Sequence, residues 1–303
     1  MASDFFKRIP VVFRDAYVLL RQNNPLILAA ATAFFATFSL CPIIVIIVSA
    51  LNLYFKSGAI RQQLFDKLQE TFGGRTTKEI ENIVNNFMSF EGGGWATLLG
   101  FIFLLFVATT LVSIVRKAIH QLWHLRRKSA VKLKYNLKER AIGLLIVVFI
   151  SLLFLVSLVM DTSLVVFNKY LGKVLPGFDA TLIWVLNVIF SILVVTTWFT
   201  ILFKFLPEAR VQWKVAFSGG FVTAVLFSIG KFVLGLLLVE SNLQNIFGAS
   251  ASMALLLLFI FYSAMIMYYG VAFTRAFGDA FNKPIHPGKY SDEYEQQLVE
   301  DTE

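Results

Sequence analysis

The sequence predicts an all-α, polytopic membrane protein, and three observations support this. First, six long apolar stretches alternate with charged or turn-rich connectors, at 25–55, 95–115, 141–160, 181–203, 215–239 and 249–274. Each has about the 20 residues that a helix needs to cross a hydrocarbon core of about 30 Å. Second, 57% of the residues are hydrophobic and only 15% are charged, too few for a soluble surface. Third, the stretches are too long and too uniformly apolar for barrel strands, which leaves a six-helix bundle.

Residues 1–24 precede the first span and have an amphipathic pattern. Apolar residues recur at helical spacing between Phe5 and Leu20, while Lys7, Arg14 and Arg21 form a separate stripe. The pattern predicts a cytoplasmic interfacial helix whose bases meet anionic headgroups. The alternative is a helix packed on the cytoplasmic ends of the bundle.

The first span contains the single cysteine, Cys41, followed by Pro42. One cysteine makes no internal disulfide, so we interpret Cys41 as a small buried apolar residue. Pro42 removes a backbone hydrogen bond, which predicts a helix kink and a freed carbonyl near Phe38.

Residues 56–94 connect the first two spans and hold five bases and five acids. Apolar positions at Ile60, Leu64 and Leu68, and again at Ile80 and Val84, predict two short amphipathic helices separated by a glycine pair. We expect these helices on the outer face, either as a structural cap or as a lid.

The distribution of bases predicts the orientation in the membrane. Residues 116–140 carry nine bases and one acid, which is typical of a cytoplasmic loop. Counting spans outward from this loop predicts that both termini are cytoplasmic. Residues 277–303 would then be a cytoplasmic acidic tail, which we expect to be disordered. The bases predicted to contact anionic lipid from this side are Lys7, Arg14, Arg21, Arg126, Arg127 and Lys128.

A search for catalytic motifs identifies no catalytic residues. His120 and His124 have i, i+4 spacing, but Gln121 stands where a metalloprotease motif has glutamate, so we interpret both as solvated or headgroup-facing residues. The sequence has no phosphate-binding glycine loop, no nucleophile elbow and no carboxylate cluster for metal ions. We therefore predict that the protein is not an enzyme and that it uses no metal and no cofactor.

Polar residues inside the spans are the remaining candidates for function, because they are costly in lipid. Lys231 lies well inside the fifth span, where it faces either a water-filled cavity or the membrane surface by snorkelling. Asp161, at the outer end of the third span, is a carboxylate that Lys231 could face instead. In a cavity or beside Asp161, Lys231 would attract an anionic substrate, so both are candidate substrate-binding residues. Asn187, in the fourth span, is either a substrate contact or a hydrogen-bonding link between helices.

Small residues predict where helices approach closely. Alanines line one side of the first span, and glycines recur along the fifth. We expect these two helices at the packed centre of the bundle, with glycines that either permit bending or only allow close packing.

Four strings resemble the YihY/BrkB family of bacterial inner-membrane proteins: LAAATAFFATFSLCP at 28–42, RKAIHQLW at 116–123, LFKFLPEARVQW at 202–213, and the small-residue-rich run at 245–270. The resemblance extends from about residue 13 to residue 280. It implies six transmembrane helices, both termini in the cytoplasm and location in the bacterial inner membrane. Ala272 stands where the family typically carries a glutamate, so the role of that acid is absent or relocated here.

The resemblance implies a choice of functions, since family members carry labels as ribonuclease BN, virulence factors and suspected lipid exporters. Nuclease activity needs clustered metal ligands that this sequence lacks, and we predict no specific nucleic-acid partner. Our main hypothesis is a transporter or flippase-like exporter of an amphipathic or anionic envelope molecule such as a lipid. The alternatives are a non-transporting membrane scaffold and a membrane-embedded enzyme acting on lipids. The sequence leaves the substrate and the oligomeric state open.

Overall fold

The computed structural model describes residues 2–54, 61–69 except 63 and 67, 74–88, 94–127, 145, 180–240, 251–288 and 291–294. These residues are mostly helical, as predicted. The helices are α1 (Ala2–Gln22), α2 (Pro25–Tyr54), α3 (Gly74–Met88), α4 (Gly94–Leu122), α5 (Ala180–Phe205), α6 (Trp213–Glu240) and α7 (Ala251–Ala280). Four short strands, which the sequence pattern does not predict, are β1 (Leu125–Arg127), β2 (Ala209–Arg210), β3 (His286–Pro287) and β4 (Ser291–Glu293).

Four of the described helices contain a stretch long and apolar enough to cross a membrane. The stretches are Pro25–Val45 in α2, Val188–Phe205 in α5, Trp213–Val233 in α6 and Met253–Ala280 in α7. Helix α4 has 29 residues and contains the predicted second span. The predicted third span, 141–160, lies outside the described residues except for Leu145. Apolar membrane-spanning helices are thus confirmed, while the count of six stays a prediction.

Helix α1 packs along the C-terminal half of α7. The Arg8 guanidinium donates a hydrogen bond to the carbonyl of Ala280 over 2.7 Å, and the ring of Phe13 lies 4.9 Å from that of Phe273. The residues of α1 that join the core are Val12, Ala16 and Leu20. Much of the apolar stripe predicted to enter the acyl boundary therefore contacts protein, as in the packed-helix alternative. The interfacial location itself stays a prediction.

Helix α7 occupies the centre of the described bundle, because it packs against α1, α2, α4 and α6. Two buried hydrogen bonds connect it to its neighbours. The indole nitrogen of Trp123 donates to the carbonyl of Val271 over 2.9 Å, and the hydroxyls of Thr32 and Tyr268 lie 2.5 Å apart. The expectation that the first and fifth spans form the packed centre needs correction, since α2 and α6 each pack extensively against α7.

Glycine and threonine form the closest contacts between α6 and α7. A Cβ atom at Gly219 would lie 1.9 Å from Oγ1 of Thr274, and one at Gly270 would lie 1.7 Å from Oγ1 of Thr223. Each threonine hydroxyl donates to the glycine carbonyl four residues earlier in its own helix, over 2.7 Å. Each helix thus carries a Gly-x-x-x-Thr unit, and the two units run antiparallel. Each glycine contacts the threonine of the other helix.

The four strands gather at one end of the bundle, here called the β end. Strand β4 pairs antiparallel with β1, and β3 pairs antiparallel with β2. The turn between α1 and α2 lies there too, since Gln121 donates to the carbonyl of Asn23 over 3.5 Å. All four segments predicted to be cytoplasmic therefore meet at this end, although the side of the membrane that it faces stays a prediction.

The β end also includes part of the predicted tail. Within the range 277–303, helix α7 continues to Ala280 and strands β3 and β4 follow, whereas residues 295–303 lie outside the described part.

Candidate functional site

The opposite end of the bundle, here called the α3 end, is capped by two helical walls. One wall is formed by helical residues between 61 and 69, and the other by α3. Leu64 and Leu68 are one helical turn apart, as are Ile80 and Val84, so each pair presents one apolar face. These faces are buried against the end of α2 in a cluster with Ile44, Val45 and Val48.

A cavity of about 510 Å³ lies between the two walls. Each wall contributes one base and one acid to the lining: Arg61 and Asp66 from the first wall, Lys78 and Glu81 from α3. Lys78 and Glu81 are three residues apart, a spacing that places both side chains on the same side of a helix. The described part of the lining therefore carries two positive and two negative formal charges.

Neutral side chains also line the cavity, and a hydrogen bond to a neutral side chain positions Arg61. The Arg61 guanidinium donates a hydrogen bond to the side-chain oxygen of Asn85, and it lies 5.7 Å from the ring centre of Phe65. Gln69 supplies a side-chain amide. Thr77 is 4% exposed, and its hydroxyl oxygen has no hydrogen-bond partner among the described residues. A buried hydroxyl without a partner is costly, and this oxygen is shielded from the open part of the cavity.

The size and the lining of the cavity suit a polar headgroup. Ligand sites commonly enclose about 300–1,000 Å³ and place a few polar groups over an apolar base. Here Phe65 lines the cavity and also belongs to the apolar cluster that includes Val45, the last residue of the apolar stretch of α2. A molecule bound in the cavity would therefore have its polar part beside the charges and a membrane-spanning helix nearby.

A second cluster of ionisable groups lies at the β end around Arg275. Its guanidinium contacts the carboxylate of Asp279 at 3.0 Å and that of Glu293 at 2.5 Å, and it donates to the carbonyl of Trp123 over 3.3 Å. Arg275 thus connects α7, the end of α4 and strand β4. Its side chain is 16% exposed, so these contacts are partly shielded from solvent.

His124 belongs to the same cluster and is half-buried. Its carbonyl accepts a hydrogen bond from the backbone nitrogen of Tyr294, and the two rings are 5.8 Å apart. Burial lowers the pKa of His124 below its usual 6.5, and the positive charge of Arg275 lowers it further, while Glu293 and Asp279 act in the opposite direction. The interpretation of His124 as a solvated residue is therefore corrected: the fold buries it against the C-terminal segment.

Of the residues predicted to contact substrate, the structure describes the side chain of Lys231, which does not line the cavity at the α3 end. Lys231 is exposed on α6, next to exposed Phe232 and Val233. Asn187 lies in α5, but its side chain is outside the described part, and Asp161 lies outside it altogether. The exposed position of Lys231 among apolar side chains favours the snorkelling interpretation, and its role stays a prediction.

The predicted headgroup-contacting bases are exposed wherever the structure describes their side chains. These are Lys7, Arg14, Arg21 and Arg126. Arg14 lies 3.2 Å from the carboxylate of Asp15. Arg127 lies in β1 with its side chain outside the described part, and Lys128 is not described.

Pro42 lies inside α2, which runs without interruption from Pro25 to Tyr54. The side chain of Pro42 is outside the described part, so the kink stays a prediction. One turn before it, the Ser39 hydroxyl donates to the carbonyl of Phe35 over 2.7 Å, and the carbonyl of Val107 in α4 is 3.2 Å away.

Sequence reasoning missed both the charged lining of the cavity and Arg275. The available signal for the first was that each amphipathic helix of residues 56–94 carries both bases and acids. The signal for the second was the i, i+4 pair of Arg275 and Asp279 at the end of the sixth span. Neither signal identifies a site alone, because the partners are brought together by the fold. Within the described ranges, no group of three His, Cys, Asp or Glu residues is placed to hold a metal ion.

Comparison with known proteins gives matches over most of the chain. A family model described as "Virulence factor BrkB" matches residues 18–292. A UPF0761 membrane protein of Saccharophagus degradans is 27% identical over 262 residues, which cover 83% of this chain and 56% of that protein. A UPF0761 membrane protein of Alteromonas mediterranea is 23% identical over 282 residues, which cover 91% of this chain and 92% of that protein. The chain thus spans little more than half of the first relative and nearly all of the second. No solved structure matches.

Proposed function

The chain belongs to the BrkB family of membrane proteins, and on that premise we propose that it binds and moves an amphipathic envelope molecule across the membrane. The location is the inner membrane, with the β end in the cytoplasm and the α3 end outside. The protein acts as a transporter and not as an enzyme.

One observation carries the proposal: the α3 end holds a charged cavity, and Phe65 in its lining belongs to an apolar cluster shared with α2. An amphipathic molecule needs both environments at once, a polar site for its headgroup and an apolar surface for its chains. The apolar surface is supplied by exposed side chains of α2 and α4, including Phe34, Phe38, Ile102 and Phe106.

The contact between α6 and α7 supports a moving role for these helices. Its threonine hydroxyls donate within their own helices, so relative sliding of α6 and α7 would break no interhelical hydrogen bond at these positions.

Transport is tested with purified protein reconstituted into vesicles that contain fluorescent phospholipids. A membrane-impermeant quencher added outside reports the fraction of lipid that reaches the outer leaflet. Wild-type protein is expected to raise this fraction above that of vesicles containing a heat-inactivated sample. Equal fractions for every lipid tested would reject the transport proposal.

Lys231 is tested in the same vesicles. The proposal gives this exposed base the role of guiding a headgroup along the apolar surface of α6, so Lys231→Ala is expected to abolish transport and Lys231→Arg to retain it. Full activity of a correctly folded Lys231→Ala protein would remove Lys231 from the mechanism.

The second candidate is a non-transporting scaffold. It is favoured by the position of Lys231, since a base that snorkels from an apolar surface needs no transport path. A scaffold would move no lipid in the vesicle assay, and yet its loss from cells would change the composition of membrane complexes.

A further inference from the structure

We propose that the cavity at the α3 end binds a zwitterionic phospholipid headgroup, with phosphate beside the bases and ammonium beside the acids. The inference rests on the proposed function and names the substrate class of that site. It follows from the arrangement of charge in the cavity and from the hydrogen bond that positions Arg61.

The arrangement of charge selects against ligands of a single sign. Arg61 and Asp66 lie on one wall, and Lys78 and Glu81 lie on the other. A purely anionic headgroup would be attracted by two bases and repelled by two carboxylates in the same cavity, and a cationic one would meet the opposite combination. A zwitterion gains from all four groups, because each of its charges has an opposite partner nearby.

The neutral groups fit the same ligand. Gln69 supplies a side-chain amide to the lining, and its N–H groups can donate to a phosphate oxygen. Arg61 is positioned by its hydrogen bond to Asn85, so less side-chain entropy is lost when a phosphate binds. The volume of about 510 Å³ accommodates a headgroup together with ordered water.

The position of the cavity makes a membrane lipid the source of this headgroup. Phe65 lines the cavity and belongs to the same apolar cluster as Ile44 and Val45, which lie in a predicted membrane span. A lipid with its headgroup in the cavity keeps its acyl chains beside the apolar helices. A free zwitterion of the same chemistry lacks this apolar contact and is expected to bind more weakly.

The proposal is tested by native mass spectrometry of the full chain in detergent, titrated with short-chain phosphoethanolamine and phosphoglycerol lipids that have identical acyl chains. Free phosphoethanolamine is titrated separately. The variants are Lys78→Glu, Glu81→Lys and the double exchange of both. Lys214→Glu is the control, because it makes the same change of charge at the exposed surface of the β end.

The wild-type protein is expected to bind the zwitterionic lipid several-fold more tightly than the anionic lipid and the free headgroup. Lys78→Glu should weaken zwitterion binding by about tenfold, as expected for loss of one charge contact, and the double exchange should restore it. Lys214→Glu should leave it unchanged.

Tighter binding of the anionic lipid by the wild-type protein would overturn the substrate class and leave the transport proposal standing. No saturable binding of either lipid, together with no movement in vesicles, would reject both. The comparison of the two lipids on wild-type protein decides the class even where a variant does not fold.

Discussion

At the scale of single residues, the backbone of His124 is the most unusual conformation in the β end. Its φ is +52°, in the left-handed region, which is also adopted by Asn24 and Asn282 within the described ranges. Asparagine tolerates this conformation better than most residues do, so two of the three positions carry a suitable side chain. The third position is His124, whose ring contacts that of Tyr294.

The lowered pKa of His124 makes the stability of the β end depend on pH. Between that lowered value and the usual 6.5, the unfolded chain binds more protons than the folded protein. The free energy of unfolding therefore rises with pH through this window and falls as the solution is acidified below 6.5. We predict a lower thermal unfolding midpoint at about pH 5.5 than at about pH 7.5, a range in which histidine normally titrates.

His124→Asn should reduce this pH dependence, since asparagine accepts the left-handed backbone and does not titrate. The control is His286→Asn, which alters an exposed histidine on β3. Thermal scans in detergent at both pH values measure the difference. An unchanged pH dependence in His124→Asn would show that other groups cause it.

At the scale of elements, the contact between α6 and α7 depends on having no side chain at two positions. We predict that Gly270→Ala destabilises the protein by about 1–3 kcal/mol, the usual cost of overpacking a filled core. The added methyl group would meet Thr223, so the double variant with Thr223→Gly should recover part of the loss.

Thermal stability in detergent measures this effect. Gly74→Ala is the matched control, because a Cβ there would approach only the Gln69 side chain, at 3.5 Å. If Gly270→Ala were as stable as this control, the helices would have room to separate and the close contact would not be required.

The C-terminal segment from Lys283 to Tyr294 acts as a second connecting element. Its strands pair with β1 and β2, and the Ser291 hydroxyl donates to the carbonyl of Glu208 over 3.2 Å. A Cβ atom at Gly288 would lie 2.0 Å from that same carbonyl oxygen, so the segment approaches the α5–α6 connector too closely for a side chain.

Two truncations separate this segment from the residues beyond it. Ending the chain after Tyr294 is expected to leave the thermal midpoint unchanged, whereas ending it after Asn282 should lower it by several degrees, since about 1 kcal/mol shifts the midpoint by about 2–4 °C in a chain of this size. Size-exclusion profiles after heating would report the loss. Equal profiles would show that the strand pairs contribute no stability.

The helices could be predicted from sequence and the strands could not, for a physical reason. Each spanning helix is encoded by a continuous apolar run such as that of α7, since its backbone hydrogen bonds are made within the run. Strands of two or three residues, such as β2, have no internal bonds and form only when a distant partner is brought beside them. Residues 209 and 287 pair although 78 positions separate them.

At the scale of the whole molecule, the sequence predicted which segments share one end of the bundle. Lysine and arginine counts grouped the N-terminal helix, the loop after α4, the α5–α6 connector and the C-terminal segment, and all of them meet at the β end. The cavity was not predictable in this way. Its charges lie on two walls that are brought together by apolar contacts with α2. The sequence pattern does not predict the distance between these two walls.

Cysteine labelling tests the orientation and the number of spans. In a Cys41→Ser background, Lys78→Cys and Lys169→Cys are expected to react with a membrane-impermeant maleimide from outside, whereas Arg210→Cys should react only after the membrane is opened. Labelling of Arg210→Cys in intact cells would reverse the orientation. Labelling of Lys78→Cys from outside with protection of Lys169→Cys would contradict the predicted third span.

The central place of α7 has a consequence for biosynthesis. Helix α7 leaves the ribosome after the other described helices, and yet it supplies the packing surface for α1, α2 and α6. Until α7 has been made, these earlier helices must wait in the membrane with their α7-facing surfaces uncovered. A ribosome that stops before α7 therefore releases a chain whose uncovered faces quality-control proteases can recognise.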